Sequence, residues 1–410
     1  MVSSARFGTA EYGGALYGVN PAWRVDGGVR WDLIAQTVPR GSSHLESRYD
    51  GGEPLTDLPG AQGIRATFRL REPSSVEWRL PHSDPATALV RELSTDVVVW
   101  RNGLRLERCR VGPTSDDVDE DTGTAAYAAH DYRAILERRL IPSGLLGNSR
   151  WTNTDQALIA WRLLEFAQLG ATWGQILGFP DGRWLALARG HGQTTGRLRT
   201  REYSTGKPVG EAIRQLSEVI DGFDWSISPT GSFDIHYPRR GVGRSFVAHL
   251  GATVQRLRRT VDTSQYATMV RQSGADDVPA RYAYTPDVDE RPEGAWHAQL
   301  GDPDIIEAET LAEKAEGELE ARQLLPGYTL TLTPGVWDGP ETCWLGDTIR
   351  LVARSGYRLD VDTEVRIVEI AVDVGDDGGE TVRLVCDRPP PDLFRSTYYD
   401  RSRLTNLERR

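Results

Sequence analysis

Cysteine is scarce in this sequence of 410 residues, and long apolar runs and an excess of positive charge are missing. Its three cysteines, Cys109, Cys343 and Cys386, lie far apart and form no CxxC pair. That spacing argues against a zinc site or a disulfide framework, and folding in a reducing cytoplasm is the simplest expectation. No apolar run approaches the roughly 18 residues that cross a membrane, so we expect no membrane span.

The acidic balance of the chain restricts its partners. The formal net charge is −11, which opposes tight binding to nucleic acid because such binding neutralises phosphates with lysine and arginine. It leaves open the passage of DNA along an acidic wall. Residues 1–18 lack a basic segment followed by an apolar core, so we also expect no signal peptide.

Signatures of catalysis are absent as well. The chain has no Gly-x-Ser-x-Gly elbow and no HExxH motif, so neither a serine hydrolase of that type nor a zinc enzyme is supported. Its histidines are isolated in sequence, and each is more simply a structural residue than a ligand or base. They are His44, His82, His130, His191, His236, His249 and His297. We therefore predict no enzyme activity and no catalytic, cofactor-binding or metal-binding residues.

Three segments resemble functional motifs, and each has a simpler interpretation. The acidic run Asp116–Asp121 could hold calcium, but it lacks the ligand spacing of the twelve-residue calcium loop, which favours a solvated hairpin loop. Gly241–Phe246 partly resembles a phosphate-binding loop, yet it precedes a strand instead of a helix. Glu341 and Asp347 flank a loop and are candidate glycosidase carboxylates, although turn acids are the simpler interpretation.

The chain has twelve tryptophans, which could indicate a sugar-binding surface. Those in or beside predicted helices and strands are expected to pack in a core or an interface: Trp78, Trp100, Trp161, Trp184, Trp225 and Trp344. Those in loop-like segments are the better candidates for subunit contacts: Trp151, Trp173, Trp296 and Trp337.

The clearest structural pattern lies at 304–387. Ile305–Leu325 is predicted to be a helix, because apolar residues recur every three or four positions and Pro326-Gly327 ends it. Strands are predicted to follow, since the residues alternate with period two and turn residues separate them. They are Thr329–Thr333, Thr348–Val352, Val365–Val372 and Thr381–Cys386. The pattern indicates a helix that leads into a closed or nearly closed antiparallel sheet.

Residues 61–150 show a similar succession of short strands and tight turns. Asn102-Gly103 is the best hairpin signal, because both central residues of a type I′ turn need positive φ. It joins the predicted strands Asp96–Trp100 and Leu104–Val111. A helix is predicted from Asp131 to Leu140, with the aspartate as its N-cap. These patterns favour a first small barrel or sandwich.

The predicted fold class is α+β, mainly β, with two small antiparallel β-barrel domains and helix-containing α+β domains between them. The first parts are an N-terminal arm with a peripheral strand (1–60), a first barrel (61–150, completed by 183–205) and a helix-plus-hairpin domain (151–182 with 206–240). The others are a second barrel (245–273 with 326–388), an insertion with a helix (274–325) and an extended tail (389–410). No internal sequence repeat is visible, although the two barrels could be similar.

Several stretches together resemble one family. Residues 94–112 and 127–141 combine a hairpin around Asn-Gly with a tyrosine and an arginine-rich helix. Residues 154–170 are a mid-chain helix, and 210–241 a helix with a hairpin. Residues 304–387 contain LPGYTLTLTP, LGD, EVRIVEI and ETVRLVCD. In order and spacing, these stretches are similar to hub-like minor tail proteins, the baseplate or tail-tip hubs of long-tailed actinobacterial phages (siphoviruses).

That resemblance implies a structural protein of the virion. Hub proteins are homotrimers in which two barrels per subunit form a ring of six barrels. The ring joins the six-fold tail tube, through the distal tail protein, to three-fold tip proteins and encloses the channel for DNA ejection. The implied partners are the distal tail protein, the tape measure protein and downstream tip or fibre and receptor-binding proteins, with DNA only transiently and no cofactor. The implied location is the tail tip, after assembly in the host cytoplasm.

Two other function classes stay open. A tail-tip cell-wall hydrolase would need two carboxylates about 5–9.5 Å apart in a groove, or a metal site. A receptor- or carbohydrate-binding tip protein would expose several tryptophans in one shallow groove. Some hub proteins continue into a wall-degrading domain, but only 389–410 follow the last predicted strand here, so we expect no such activity.

Overall fold

A computed structural model describes two stretches of the chain, 29–37 and 54–387. The second stretch has gaps at 121, 142–149, 169–186, 204, 218–221, 262, 275–278, 287, 302–310, 313–314, 317, 320–321, 324–325 and 376–377. The predicted arm and tail, and most of the helix predicted at Ile305–Leu325, therefore lie outside the described residues. No helix among the described residues is long and apolar enough to cross a membrane.

The structure is mainly β, as the sequence predicts. The α-helices with described bounds are α1 Tyr132–Leu136, α2 Gln156–Gln168 and α3 Val209–Ser217. The strands up to the helical unit are β1 Trp31–Thr37, β2 Pro54–Asp57, β3 Gln62–Arg69, β4 Ser75–Pro81, β5 Thr95–Arg101, β6 Leu104–Val118, β7 Gly123–Asp131 and β8 Arg150–Asp155. Those that follow are β9 Ala188–Arg189, β10 Leu198–Glu202, β11 Asp224–Ile227, β12 Ser232–His236, β13 Gly243–His249, β14 Val254–Val261, β15 Met269–Ser273, β16 Arg281–Tyr284, β17 His297–Gly301, β18 Pro326–Leu332, β19 Thr348–Ser355, β20 Leu359–Val374 and β21 Glu380–Asp387.

Strands from both halves of the chain join in one thirteen-stranded sheet. Its main path runs β14-β18-β21-β20-β3-β4-β7-β6-β5-β1-β2, and β19 and β13 extend it from β20. The halves meet where β20 pairs with β3 in antiparallel orientation. The pairs between described strands thus link the strands assigned to two barrels, and they close neither set into a barrel.

The two halves of this sheet repeat one strand order. The first repeat, β3 to β7, runs β3-β4-β7-β6-β5, and the second repeat, β14 with β18 to β21, runs β14-β18-β21-β20-β19. The repeats differ at the next strand, because β1 pairs antiparallel with β5 whereas β13 pairs parallel with β19. The chain thus contains a structural repeat that the sequence does not reveal.

The register of the repeats also agrees. In β6 and β7, Thr114 lies opposite Tyr127, just after a bulge in β6. In β20 and β21, Ile370 lies opposite Leu384, just after a bulge in β20. The later pairs keep this correspondence, which equates these residues: Ser115 with Ala371, Asp116 with Val372, Asp117 with Asp373, and Val118 with Val374.

One apolar core lies against the shared sheet and takes residues from both repeats. Phe68 and Trp78 of the first repeat and Ile370 of the second are each about 1% exposed or less. Alternation along the strands sends these side chains to one face. Burying each such side chain contributes roughly 1.5–3 kcal/mol to folding, so the core binds the repeats into one unit.

A second core belongs to the α+β unit formed by α1, α2, α3 and small sheets. The segment 183–205 was expected to complete the first barrel, but its described strands pair elsewhere: β9 with β12, and β10 with β8. Similarly, β15 was expected in the second barrel and instead forms a separate sheet with β16 and β17. Such short strands carry no pattern that specifies a partner distant in sequence.

Candidate assembly interface

The junction between the repeats is an antiparallel ladder of β20 on β3. Its pairs run from Glu369 opposite Arg69 to Asp373 opposite Arg65. Leu70 N–H donates to the carbonyl of Val368 at 2.9 Å just before the ladder begins. The ladder therefore extends backbone pairing from one repeat into the other.

Acidic side chains on β20 meet arginines on β3 along the outer face of this ladder. Arg69 Nε donates to Glu369 Oε2 at 2.8 Å, and Arg65 Nε donates to Asp373 Oδ1 at 2.6 Å. Asp373 also accepts a hydrogen bond from Arg383 Nη2 at 2.8 Å. Cross-strand charge pairs of this kind contribute roughly 0.2–1 kcal/mol each. They set the register and the choice of partner strand more than the overall stability.

A buried arginine adds a second contact between the repeats. Arg101 of β5 donates from Nη2 to Glu380 Oε1 at 2.8 Å and to the carbonyl of Trp337 at 2.9 Å. Its guanidinium lies over the Trp337 ring, 4.8 Å from the centroid. Trp31 Nε1 donates to Glu380 Oε2 at 3.1 Å. The side chains of Arg101 and Glu380 are both nearly inaccessible to solvent, so each buried charge is stabilised by the other.

Asp96 is the centre of a buried polar cluster in the first repeat. It accepts hydrogen bonds from Arg108 Nε at 3.0 Å and Tyr132 Oη at 2.6 Å, and it also pairs with Arg110. Burial raises the pKa of the Asp96 carboxyl, although Arg110 and Tyr132 oppose that rise. Removing this carboxylate would leave two arginines buried without their partner.

Asp347 has a comparable structural role just before β19. It accepts hydrogen bonds from the backbone N–H groups of Val242 and Trp344, each at 2.9 Å, and from Arg244 Nε at 2.6 Å. These bonds fix the turn that opens β19 and hold the start of β13. Glu341, its candidate glycosidase partner, ends a short 3₁₀ helix and is exposed. Asp347 is thus a turn acid, as the simpler interpretation predicts.

Glu107 is an acidic residue with a strongly displaced titration. Burial and the nearby charge of Asp131 raise its pKa from 4.5 to about 8, against the opposing effects of Arg133 and Arg240. Arg133 is itself held by Asp131, with Nε donating to Oδ2 at 2.8 Å. This cluster lies where the first repeat meets the α+β unit.

The other sequence candidates fall into strands or turns. Asp116 and Asp117 lie in β6, and the turn that follows is closed by Asp119, which accepts from Thr122 N–H at 2.7 Å. Gly241–Phe246 overlaps β13, which begins at Gly243. Within the described part of the chain, no group of His, Cys, Asp and Glu residues is arranged to hold a metal ion.

The tryptophans are divided between cores and surface. Trp78, Trp225 and Trp337 are buried, so Trp337 packs inside the fold, contrary to its predicted role in subunit contacts. Trp100, Trp161, Trp344 and Trp151 are half-buried. Trp296 is 52% exposed and keeps the predicted role as a candidate. Trp173 and Trp184 lie outside the described residues.

Most histidines are exposed: His82, His130, His191, His249 and His297. His236 is half-buried, with Nε2 2.9 Å from Ser226 Oγ, and burial lowers its pKa. His82 Nε2 lies 2.8 Å from Asp116 Oδ1. His44 lies outside the described residues. None of the described histidines belongs to a group that could hold a metal ion.

Sequence reasoning missed the junction itself. The arginines of β3 and the acids of β20 each alternate with apolar residues, which is the sequence signal of two strands with one charged face. Because the strands are separated by some 300 residues, that signal gave no indication that they pair.

Comparisons with known proteins identify the fold. No protein-family model matches the sequence, and no curated protein matches it. A 43 kDa tail protein of prophage MuSo2 from Shewanella oneidensis superposes with a TM-score of 0.60 and 14% identity, over 88% of this chain and 99% of that protein. A tail protein from Neisseria meningitidis gives 0.56 and 10% identity, over 90% and 99%. A prophage tail protein from Listeria monocytogenes gives 0.50 and 12% identity, over 92% and 98%.

Proposed function

We propose that this chain is a structural hub protein of a phage or phage-like tail, located at the tail tip. Three copies would form a ring of six similar barrels that joins the six-fold tube and distal tail ring to three-fold tip proteins. The observation that carries the proposal is the structural repeat, since three copies of a two-repeat chain present six similar units. The similarity of fold to tail proteins, over nearly their whole length, supports it.

The proposal assigns the barrels to the two repeats. β1 would complete the first barrel and β13 the second, and the α+β unit would lie beside them. The ring would enclose the DNA exit channel, and the distal tail protein, the tape measure protein and the tip or fibre proteins would be its partners. An acidic wall, consistent with a net charge of −11, would let DNA pass without binding tightly.

The test is the mass of the purified assembly, followed by imaging with electron microscopy. We expect a species of three chains that appears as a ring with three-fold symmetry and a central channel. A chain that stays monomeric both alone and with its tail partners, or a symmetric dimer, would contradict the proposal.

The proposal includes no catalysis. Asp347, one of the two candidate carboxylates, is used in backbone and arginine hydrogen bonds, which supports a structural function. A zymogram on cell-wall peptidoglycan tests this assignment. We expect no clearing, whereas clearing by the wild type that disappears in Glu341→Gln would favour the hydrolase.

A further inference from the structure

Two strand edges that no described strand covers correspond to the two edges that join at β20 and β3. On one side of β6, β5 pairs with the strand as far as Arg110, and Leu93 N–H donates to the carbonyl of Val111 at 2.8 Å. Beyond that point, no described strand pairs with this side of β6. β14 likewise pairs, among the described strands, only with β18.

The open edge of β6 is the counterpart of the junction edge of β20. Asp117 and Asp373 occupy equivalent positions, because Asp117 lies opposite Thr124 and Asp373 lies opposite Thr381 in matching ladders. The last hydrogen bond before the edge also matches in the two repeats. Gly346 N–H donates to the carbonyl of Ile367 in β20, as Leu93 N–H donates to the carbonyl of Val111 in β6. In the second repeat, this edge is covered by β3.

The open edge of β14 is the counterpart of β3 by the same reasoning. Thr67 lies opposite Ser75, which lies opposite His130. In the second repeat, Thr260 lies opposite Gly327, which lies opposite Asp387. His130 and Asp387 are equivalent, because they lie opposite Arg110 and Arg366. Thr260 therefore corresponds to Thr67, and two residues earlier Arg258 corresponds to Arg65.

We propose that β6 of one copy pairs antiparallel with β14 of a second copy, in the register of β20 on β3. Arg258 of one copy would then lie opposite Asp117 of the next, as Arg65 lies opposite Asp373 within the chain. Arg259 would lie opposite Asp116. This inference deepens the proposed hub function. It rests on that function only for the number of copies in the ring.

Charge complementarity supports this pairing over the alternatives. The edge of β6 carries exposed Asp116 and Asp117, and β14 carries exposed Arg256, Arg258 and Arg259. Asp117, Arg258 and Arg259 have no ion-pair partner among the described residues. Acids on β6 and arginines on β14 would repeat the arrangement at the junction, where β20 carries the acids and β3 the arginines.

The same charges disfavour symmetric contacts. Two β6 edges would bring aspartates together, and two β14 edges would bring arginines together, and like charges directly opposite destabilise a strand pair. A contact between unlike edges is heterologous and repeats from copy to copy, so it closes into a ring when the rotation per copy allows. It also covers exposed edges that would otherwise invite aggregation.

Cysteine cross-linking tests the register. The test mixes two full-length single variants, Asp117→Cys and Arg258→Cys, under mild oxidation. Directly opposite residues of an antiparallel pair lie about 4.5–5.5 Å apart at Cα, within the range that disulfides span. We expect disulfide-linked dimers in the mixture and not in either variant alone. The native cysteines are all buried, so their background is low.

A matched control replaces Arg258→Cys with Arg256→Cys, which lies on the same strand two residues out of register. We expect at least tenfold fewer cross-links from this mixture. Equal cross-linking of both mixtures, or none from the first, would overturn the proposed pairing. A three-fold ring seen without these cross-links would leave the hub function standing, whereas cross-linked chains without a three-fold ring would contradict the hub function alone.

Charge exchange provides an independent test on the assembled protein. Asp117→Arg and Arg258→Asp should each weaken self-association at least tenfold, and the chain carrying both changes should recover it. Asp360→Arg is the control, because Asp360 is an exposed acid on β20 whose partner is Arg354. Association unchanged in both single variants, or not restored in the double variant, would overturn the proposal.

Discussion

The two repeats share strand order and register, but they differ in what lies at their edges and inside them. In the second repeat, the long strand β20 has its outer edge covered by β3, whereas no described strand pairs with the equivalent edge of β6. The first repeat contains a buried cluster around Asp96, whereas the second uses Asp347 at a turn with a partly exposed arginine.

This difference shows that one strand order can form around different buried residues, provided that the register of the strands is kept. The bulges in β6 and β20 occur at equivalent points, and they preserve the alternation of inward and outward residues after each bend. Sequence identity between the repeats is not required, because only the in-out pattern and the turns specify the strand order.

The largest expected effect is a loss of stability that differs between the interiors of the two repeats. Asp96→Ala leaves Arg108 and Arg110 without their carboxylate, and we expect a loss of about 3–5 kcal/mol in the free energy of unfolding. Asp347→Ala should cost less, about 2–3 kcal/mol, since Arg244 can regain water. Urea denaturation measures both.

The control for these two variants is Asp360→Ala, which removes one partner of an exposed pair. Its cost should stay within about 0.5 kcal/mol. If Asp347→Ala proved as costly as Asp96→Ala, the contrast between the interiors would be wrong.

The next effect concerns the buried contact between repeats. Arg101→Ala leaves Glu380 buried without a cation, so we expect a loss of about 2–4 kcal/mol and a less cooperative thermal transition. Replacing both partners, Arg101→Leu with Glu380→Leu, should restore part of this loss. Calorimetry would contradict the interpretation if the double variant were less stable than the single one.

Glu107 distinguishes the repeats by titration, because its equivalent in the second repeat is the neutral Thr363. The folded pKa of about 8 lies above the ordinary value of 4.5. Between those pH values, the folded protein retains a proton that the unfolded chain releases, so stability falls as pH rises through this window.

Glu107→Gln should therefore flatten the dependence of the unfolding midpoint on pH, and stabilise the protein by roughly 1–2 kcal/mol near the upper end of the window. Thermal melts across the window measure it, with the exposed Glu77→Gln as the control that keeps the wild-type slope. An unchanged slope in Glu107→Gln would show that another group titrates.

The smallest effect is expected at the junction ladder. Asp373→Asn weakens the contacts to Arg65 and Arg383 and should cost about 0.2–1 kcal/mol, because these charges are partly hydrated. The loss should shrink further in high salt, as screening predicts. A cost that persists in high salt would mean that these charges are more deeply shielded than the structure indicates.

Local patterns predicted many of the elements. Asn102 and Gly103 both have positive φ, as the type I′ turn requires. The predicted strands at 348–352, 365–372 and 381–386 all fall within observed strands, and Asp131 caps its helix. These features depend on residues close in sequence, where turn chemistry and alternation are sufficient.

Other predictions were wrong, chiefly where the outcome depends on a strand that is distant in sequence. The helix predicted to reach Leu140 ends at Leu136. Gly241–Phe246 was compared with a phosphate-binding loop, but β13 begins at Gly243 and pairs in parallel with β19 about a hundred residues later. The junction of β20 with β3 and the single shared sheet depend on such distant pairs, which no local pattern specifies.

The shared strand β20 has a consequence for synthesis on the ribosome. Residues 62–131 emerge long before residues 369–373, so one side of β3 stays unpaired until about 300 further residues have been translated. The N-terminal portion therefore reaches its native arrangement only after β20 has been synthesised. During that interval, the nascent chain exposes a strand edge that chaperones could shield.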